Sequence, residues 1–395
     1  MISLYWLKLR HIFSFILTKI MSFVISLARQ KVNDKNILFV RLDSIGDYIL
    51  LRNFFQFIRK DERYQKYKIT LCGNIIWKEL AEYFDKTVFD NFIWLDRQKF
   101  QENIFYRYYF LKKIYKLGFE VAIDTTYSRE ILFGDSIVAI SKAKERIGCT
   151  GSIDNSAKWK RNLLSDTYYT KLLVSDNENL FEFYRNKDFF EKLLNRKLEI
   201  ERTCIDVPNI SFQLPTQKKY ILIFPGAQYE NRIWKPENYA KVIEEIFNST
   251  EYDVIITGSS AERPLAEVIV NFAGNSRLFD LTGKTSLIEL VKLVSGAKMV
   301  IANETMAVHI AAAVKAPFVC ISNGQHFGRF NPYPEEMFED GYYIYPEEIS
   351  DRIDQFQNLT KEYRFEAIHD INSIRTDKVT KLVRLVLSQI EERNK

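Results

Sequence analysis

The run Asn36-Ile37-Leu38-Phe39-Val40-Arg41-Leu42-Asp43-Ser44-Ile45-Gly46-Asp47-Tyr48-Ile49-Leu50-Leu51 constrains the fold more than any other stretch. An apolar segment of strand length ends in a short polar turn holding one glycine and two aspartates. A helix-period pattern follows through Ile49, Leu50, Asn53, Phe54, Phe57 and Ile58. A strand that turns tightly into a helix is the opening unit of an α/β sheet, and there the turn stands at the carboxyl edge, where ligands bind. Asp47 sits where the helix begins. A carboxylate at that position has two uses: capping backbone N–H groups, or facing the crevice to take a proton.

The alternation continues along the chain. Strand-like runs fall at 36–41, 68–72, 91–95, 120–124 and 145–148, with helical patterns between them, including a very aromatic one at 100–117. This spacing predicts a parallel sheet with helices on both faces. Residues 150–180 carry few apolar repeats and read as loop, and a helix near 180–195 closes the half. After Pro208, Pro215 and their polar neighbours, strands restart at 220–224, 253–257, 298–302 and 317–321. A chain of 395 residues exceeds what one core normally supports. The expected organisation is a helix over 1–33, a first α/β domain over 34–205, a linker over 206–219, a second α/β domain over 220–372 and a final helix over 373–395. Two such halves place a cleft between their ligand edges. The stretch 331–372 shows no clear period, whereas Val379, Leu382, Val383, Val386 and Ile390 give the last helix one apolar face.

Composition removes several classes of function. Cys72, Cys149, Cys204 and Cys320 lie far apart, which fits a reducing compartment and argues against a disulfide framework or zinc site. The four histidines, at 11, 309, 326 and 369, are too scattered for a His-rich metal centre. Of the +5 net charge, all is carried by Lys8, Arg10, Lys19, Arg29 and Lys31, in a segment with no acid. The rest of the chain is electrically balanced, so no nucleic-acid-binding face is expected. Residues 2–31 read as one helix, apolar apart from a narrow stripe of Lys8, His11, Ser14, Thr18, Ser22, Ser26 and Arg29. Lys19 interrupts the apolar run, which favours a helix lying in a membrane interface with its cations toward anionic headgroups. A single membrane span, a signal peptide cut near Ser26-Leu27-Ala28 and a helix buried against another subunit are the alternatives.

Three loops of the second half follow strands and belong on one carboxyl edge. Phe224-Pro225-Gly226-Ala227-Gln228 leads to Arg232 and Trp234; the glycine admits close backbone approach and the arginine offers a fork of donors for phosphate oxygens. Thr257-Gly258-Ser259-Ser260-Ala261-Glu262 places a carboxylate at a helix head, a position suited to ribose hydroxyls. Asn303-Glu304-Thr305-Met306 opens a small-residue helix containing His309, whose first N–H groups form an anion site. Between the last two lies Leu281-Thr282-Gly283-Lys284-Thr285-Ser286-Leu287, a turn into a helix.

Taken together, these motifs resemble glycosyltransferase family 9, the heptosyltransferase-type enzymes of bacterial lipopolysaccharide and capsule assembly. The resemblance runs from about Asn36 to about Gly324 and is carried by Arg41–Asp47, Pro225-Gly226-Ala227 with Arg232 and Trp234, Leu281–Leu287, and Asn303-Glu304-Thr305 with His309; Gly118–Asp124 and Glu145–Gly148 fit as well. It implies a GT-B fold of two Rossmann-like domains with parallel sheets facing a central cleft. It further implies inverting transfer without a metal or cofactor, from a nucleotide-sugar donor to a saccharide or lipid-linked acceptor. Asp47 is then the catalytic base. Gly226, Arg232, Glu262, Thr282, Gly283, Lys284, Glu304, Thr305, Met306 and His309 are the donor contacts, and Ser44 and Arg129 the acceptor contacts. Where the family carries Asp-Thr-Gly, this chain has Glu304-Thr305-Met306. That departure points to a donor other than ADP-heptose, or to a catalytically reduced GT-B protein that binds nucleotide or glycan within an assembly complex. A nucleotide-sugar epimerase is a third alternative.

Overall fold

The computed structural model describes residues 2–30, 32–153, 155, 158–175, 179–365 and 368–393, and side chains from residue 13 onward. Lys31 and the side chains of Lys8, Arg10 and His11 lie outside the described residues. The chain divides into two compact units, residues 1–178 with 184–199, and residues 179–183 with 200–395.

The first unit is built on six parallel strands: β1 (Asn36–Arg41), β2 (Lys68–Asn74), β3 (Asn91–Leu95), β4 (Val121–Asp124), β5 (Glu145–Cys149) and β6 (Lys171–Leu173), in the order β3-β2-β1-β4-β5-β6. The second has β7 (Tyr220–Phe224), β8 (Asp253–Ile256), β9 (Leu278–Asp280), β10 (Met299–Asn303), β11 (Phe318–Ile321) and β12 (Gly341–Ile344), in the order β12-β11-β10-β7-β8-β9. Both sheets have the same winding. In each, the unit's first strand lies between its second and fourth, in register Phe39–Leu71 and Phe39–Ile123 in one, Leu222–Ile255 and Leu222–Val300 in the other. The connection direction reverses at β1/β4 and at β7/β10, which opens a crevice at the carboxyl ends of those pairs. Helices cover both faces of each sheet, so β1 and β7 read as continuous apolar runs and are buried almost throughout.

The first helix, Ile2–Ser26, packs on its own unit. Its contact stripe is partly polar. Buried Arg107, on the helix Ile104–Leu117, donates to the Ser14 hydroxyl at 2.6 Å and the Thr18 hydroxyl at 3.1 Å, beside buried Met21 and Ile25. Beyond the helix, Gln30 donates to the carbonyls of Tyr115 and Ser141, and the Tyr115 hydroxyl donates to Ala28.

Several expectations need correction. The first helix ends at Ser26, short of residue 31. The 100–117 pattern is two helices, Arg97–Glu102 and Ile104–Leu117, because Asn103 takes an extended conformation and its side chain accepts from the Tyr106 N–H. The loop expected over 150–180, of which 154, 156, 157 and 176–178 lie outside the described residues, holds helical turns over 158–168 and then β6. The unassigned 331–372 stretch contributes β12, an edge strand, and two short helices, Glu347–Ser350 and Phe356–Glu362.

Replacing Arg107 by Ala removes charged hydrogen bonds to buried or half-buried partners, each worth about 1.5–3 kcal/mol. Arg107→Ala should therefore lower the unfolding free energy by about 2 kcal/mol or more and make the Leu27–Gln30 turn a site of limited proteolysis. An unchanged denaturant midpoint and digestion pattern would show that the helix is held by its apolar contacts alone.

Candidate active site

In the first unit, the turn after β1 is fixed from several sides. Asn74 donates to the carbonyls of Leu42 and Asp43, the Trp77 indole donates to Asp43, and Arg97 donates to Leu42. Arg97 is itself held by both carboxylate oxygens of Glu130. Arg41, the last residue of β1, is buried, and its Nη1 donates to the Thr125 carbonyl just after β4, at 2.9 Å, so it spans the switch point. Its other nitrogens face two carboxylates, Nε at 2.9 Å from Asp43 and Nη2 at 3.4 Å from Asp47.

Asp47 occupies the third position of the helix Ile45–Leu51. The capping role is not taken: Ser44 is the N-cap residue and makes no side-chain cap bond, and its hydroxyl donates to Asp47 instead. Asp47 therefore stays partly exposed at the carboxyl edge, oriented by Arg41 and Ser44. Beneath it, Tyr48 stacks on Trp77 at 4.2 Å and joins the buried Arg52–Asp85 pair, which anchors the helix. Asp43 differs from Asp47. A fifth of its side chain still meets solvent, yet desolvation outweighs Arg41, and with Asp47 and Glu130 adding repulsion its carboxyl is pushed up to about 7.

The second unit repeats the device with a different residue. Asn303, the last residue of β10, is fully buried and donates to the carbonyls of Pro225 at 2.7 Å and Gly226 at 3.3 Å across the β7/β10 switch point. Its amide oxygen accepts from the Trp234 N–H and the Tyr239 hydroxyl. Glu262 forms a capping box with Ser259 and lies against both Gly226 and Gly258; a Cβ on Gly226 would come within 1.7 Å of Glu262 Oε1. Only glycine fits there. Gly283, at φ +71°, donates its N–H to the Gly258 carbonyl and rests on Ser260, so the loops after β7, β8 and β9 form one wall.

The helix Met306–Val314 starts in this wall, with Thr305 as N-cap accepting from the Ala307 N–H. Its remaining first-turn N–H groups have no intrahelical acceptor and carry the positive end of the helix dipole. Arg232 donates through Nε to Gln325 at 2.8 Å, and its two terminal nitrogens have no hydrogen-bond partner among the described residues. Glu304 is buried and accepts from the Ser322 hydroxyl at 2.6 Å, so its extra methylene turns the carboxylate inward. His309 bonds Tyr333 through Nδ1, and burial drops its pKa to about 4, so it is neutral at pH 7. Lys284 is exposed and donates to the Asp280 carbonyl, while the Thr282 hydroxyl is buried without a partner among the described residues.

The profile described as "Glycosyltransferase family 9 (heptosyltransferase)" matches residues 111–339, more than half of the chain. The chain belongs to this family. Lipopolysaccharide heptosyltransferase 2 of Salmonella typhimurium is 25% identical over 139 residues, 34% of this chain and 40% of the relative. Lipooligosaccharide heptosyltransferase 2 of Haemophilus influenzae is 34% identical over 101 residues, 25% and 29% of the two chains. The chain thus spans less than half the length of these curated relatives. The solved family 9 glycosyltransferase of Veillonella parvula superposes with a TM-score of 0.67 at 16% identity, over 91% of this chain and 98% of that one. An Escherichia coli heptosyltransferase solved with ADP gives 0.64 at 12% identity, over 89% and 99%. At such identities the likeness shows the fold, two parallel-sheet Rossmann-like domains of the GT-B class.

Within that family frame the structure sorts the expected site residues. Asp47 and Ser44 come together at the edge of the first sheet, and Gly226, Glu262 and Gly283 interlock in the second, beside Thr305 and Met306 at the helix start. Arg129 is the correction. Its side chain is fully buried, paired with Asp166 and near Asp135, and stacked on Tyr169, so it holds the unit together and presents nothing to an acceptor. Arg41, Asn74, Arg97 and Glu130 were not expected to act at the site. Only Arg41 carried a signal, as a cation ending an otherwise apolar strand.

Two outcomes follow from this geometry. Gly226→Ala must displace Glu262 and break its capping box, which should cost about 1 kcal/mol of stability and weaken nucleotide binding; a calorimetric titration with ADP matching the wild type would count against the wall. Asp43 carries a raised folded pKa, so its stabilisation is present while protonated and is lost as the pH rises from its unfolded value near 4 to about 7. Asp43→Asn should remove that slope in denaturant titrations at pH 5 and 7.5.

Proposed function

We propose that this protein transfers a sugar, heptose or another hexose-like sugar, from a nucleoside-diphosphate donor to a saccharide or lipid-linked acceptor in bacterial surface-glycan synthesis, with inversion and without a metal. The observation that carries the reading is Asp47: a carboxylate at a switch-point edge, not used as a cap and oriented by Arg41 and Ser44, in a chain of this family. Asp47 accepts the proton of the acceptor hydroxyl as that oxygen attacks the anomeric carbon. Inversion follows from attack opposite the departing diphosphate.

The donor reading rests on the second unit, supported by the ADP held by the E. coli heptosyltransferase. Negative charge developing on the leaving diphosphate is met by the first-turn N–H groups of the Met306–Val314 helix and the terminal nitrogens of Arg232. These groups are held in place beforehand, so they need little reorganisation during the step. Glu262 Oε1 has no donor among the described residues and is the acceptor for a ribose hydroxyl; Gly283, Thr282 and Lys284 border the nucleotide. Met306 replaces a glycine at the closest backbone approach and sets the pose of the sugar. Glu304 acts through Ser322 and the loop after β11, and neutral His309 supports the helix from behind. Among the described residues no helix is long and apolar enough to cross a membrane, and the first helix serves as a peripheral anchor at the inner face of the cytoplasmic membrane.

General-base catalysis contributes about 10²–10⁴-fold. Asp47→Asn should lose turnover by that factor while its affinity for ADP, measured by calorimetry, stays at the wild-type value. Transfer at the wild-type rate would remove Asp47 from the mechanism. A thermal-shift panel of nucleotide sugars identifies the donor, and no stabilisation by any member would oppose the donor assignment.

A further inference from the structure

Two features of the first unit lie outside the sugar-transfer machinery. One is the outward face of the first helix. Phe13, Ile16, Ile20, Phe23 and Val24 recur at three- and four-residue steps and are all exposed, Phe23 by 65%, and exposed Leu27 follows in the turn after the helix. Phe105 and Tyr109, exposed on the adjacent Ile104–Leu117 helix, extend this surface. The other is a cavity of about 400 Å³ between the first helix and the Gly134–Ser141 helix, within the ~300–1,000 Å³ range of small-molecule sites.

The walls of this cavity are amphiphilic. Lys19, Ser22 and Phe23 line one side, and Lys142, Arg146 and Tyr168 the other. The Lys19 ammonium sits 4.1 Å over the Tyr168 ring. Arg146 is fixed by the carbonyls of Ala143 and Tyr168, groups that orient the guanidinium and leave its charge uncompensated. Among the described residues none of these three cations is in an ion pair. Burial and the repulsion of Lys142 hold Lys19 below the ordinary lysine range, the strain that an anion placed between them relieves. Phe23 belongs both to the cavity wall and to the exposed face, so the basic pocket opens beside the apolar surface.

We propose that this cavity binds the phosphate headgroup of an anionic membrane lipid, with Lys19, Lys142 and Arg146 as its counter-charges and the outward face of the first helix lying among the adjoining acyl chains. The commitment to a lipid follows from charge complementarity and from the direct continuity of cationic pocket and apolar face. The assignment rests on the reading of the first helix as the membrane-facing element, and the test separates the two.

The full chain is co-sedimented with vesicles of phosphatidylcholine alone and of phosphatidylcholine with phosphatidylglycerol, at low salt and at about 0.5 M salt, where screening shortens diffuse attraction to a few ångströms. The wild type should prefer the anionic vesicles at both salt levels. Lys19→Gln/Lys142→Gln should lose that preference by about 25-fold, near five-fold per cation, while keeping residual binding to phosphatidylcholine. Lys112→Gln/Lys116→Gln removes the same charge from the adjacent Ile104–Leu117 helix and should retain the preference at high salt. Ile16→Asp/Ile20→Asp should lose binding to both vesicles. Melting temperatures and transfer to a soluble acceptor should be unchanged in all three variants. Wild-type chain that binds neither vesicle overturns the membrane reading and the pocket with it. Equal binding to both vesicles, or a full preference kept by the Lys19/Lys142 variant, overturns the pocket alone. Abolition of the preference by millimolar inorganic phosphate would assign the cavity to a free anion and overturn the lipid proposal.

Discussion

Each sheet of this protein must hold open the place where its strand order reverses, and each does so with one buried side chain at the end of a strand. Arg41 ends β1 and reaches the backbone after β4; Asn303 ends β10 and reaches the backbone after β7. At a switch point neighbouring chains leave the sheet in opposite directions, so the backbone groups there lose their ladder partners. A side chain with several donors restores some of those bonds and keeps the crevice from collapsing. The remaining donors of the same side chain then face the ligand edge. In the first unit they orient carboxylates, and in the second the amide oxygen instead locks Trp234 and Tyr239 behind the loop.

The two staples differ in charge, which bears on the roles proposed for the two units. Arginine keeps its charge when buried, so Arg41 can face both carboxylates, and at Asp43 desolvation still outweighs the guanidinium. The two carboxylates thus differ in their partners: Asp47 also accepts from Ser44, whereas Asp43 is held high by its surroundings. Asparagine brings no charge, which suits the proposed role of this wall, to meet a diphosphate through N–H groups and Arg232 rather than through a buried cation. Substitution of glutamate and methionine after Asn303 leaves this staple intact, because Glu304 turns toward Ser322 and Met306 lies beyond the N-cap. The wall survives the departure from the family pattern, and the change is confined to the space beside the helix start.

Much of this was legible from residues alone. Central strands such as β1, β7 and β10 are buried on both faces and announce themselves as unbroken apolar runs. The edge strands β6, β9 and β12 are three or four residues long and less buried, and Lys-Leu-Leu, Leu-Phe-Asp or Gly-Tyr-Tyr-Ile carry too little pattern to stand out. Asp47 was visible because a lone carboxylate follows a strand and turn. Arg129 misled for the opposite reason: an arginine after β4 looks like a substrate contact until Asp135 and Asp166, 6 and 37 positions further on, are seen to neutralise it. Long-range neutralisation of this kind has no local signature. The Asn74 and Arg97 contacts to the β1 turn, and the Glu130 contact that holds Arg97, belong to the same class, each made between residues far apart in sequence.

The first helix shows where a local pattern is right and its orientation is not. A helix with a narrow polar stripe on an apolar cylinder ordinarily buries the cylinder and hydrates the stripe. Here part of the stripe turns inward: Arg107 is held through Nε and Nη2 by the carbonyls of Phe100 and Gln101, and its Nη1 bonds to the hydroxyls of Ser14 and Thr18 fix the rotation of the helix. With that rotation set, the large apolar side chains on the far side have only the exterior to face. Fully burying one such side chain is worth about 1.5–3 kcal/mol, so the five on this helix, each about half exposed or more, represent a driving force of several kcal/mol. Rotating the helix to bury them would leave Nη1 of a buried guanidinium without these partners. The inverted polarity thus follows from the pairing with one buried cation, and it leaves the exposed apolar face on which the proposed membrane contact rests.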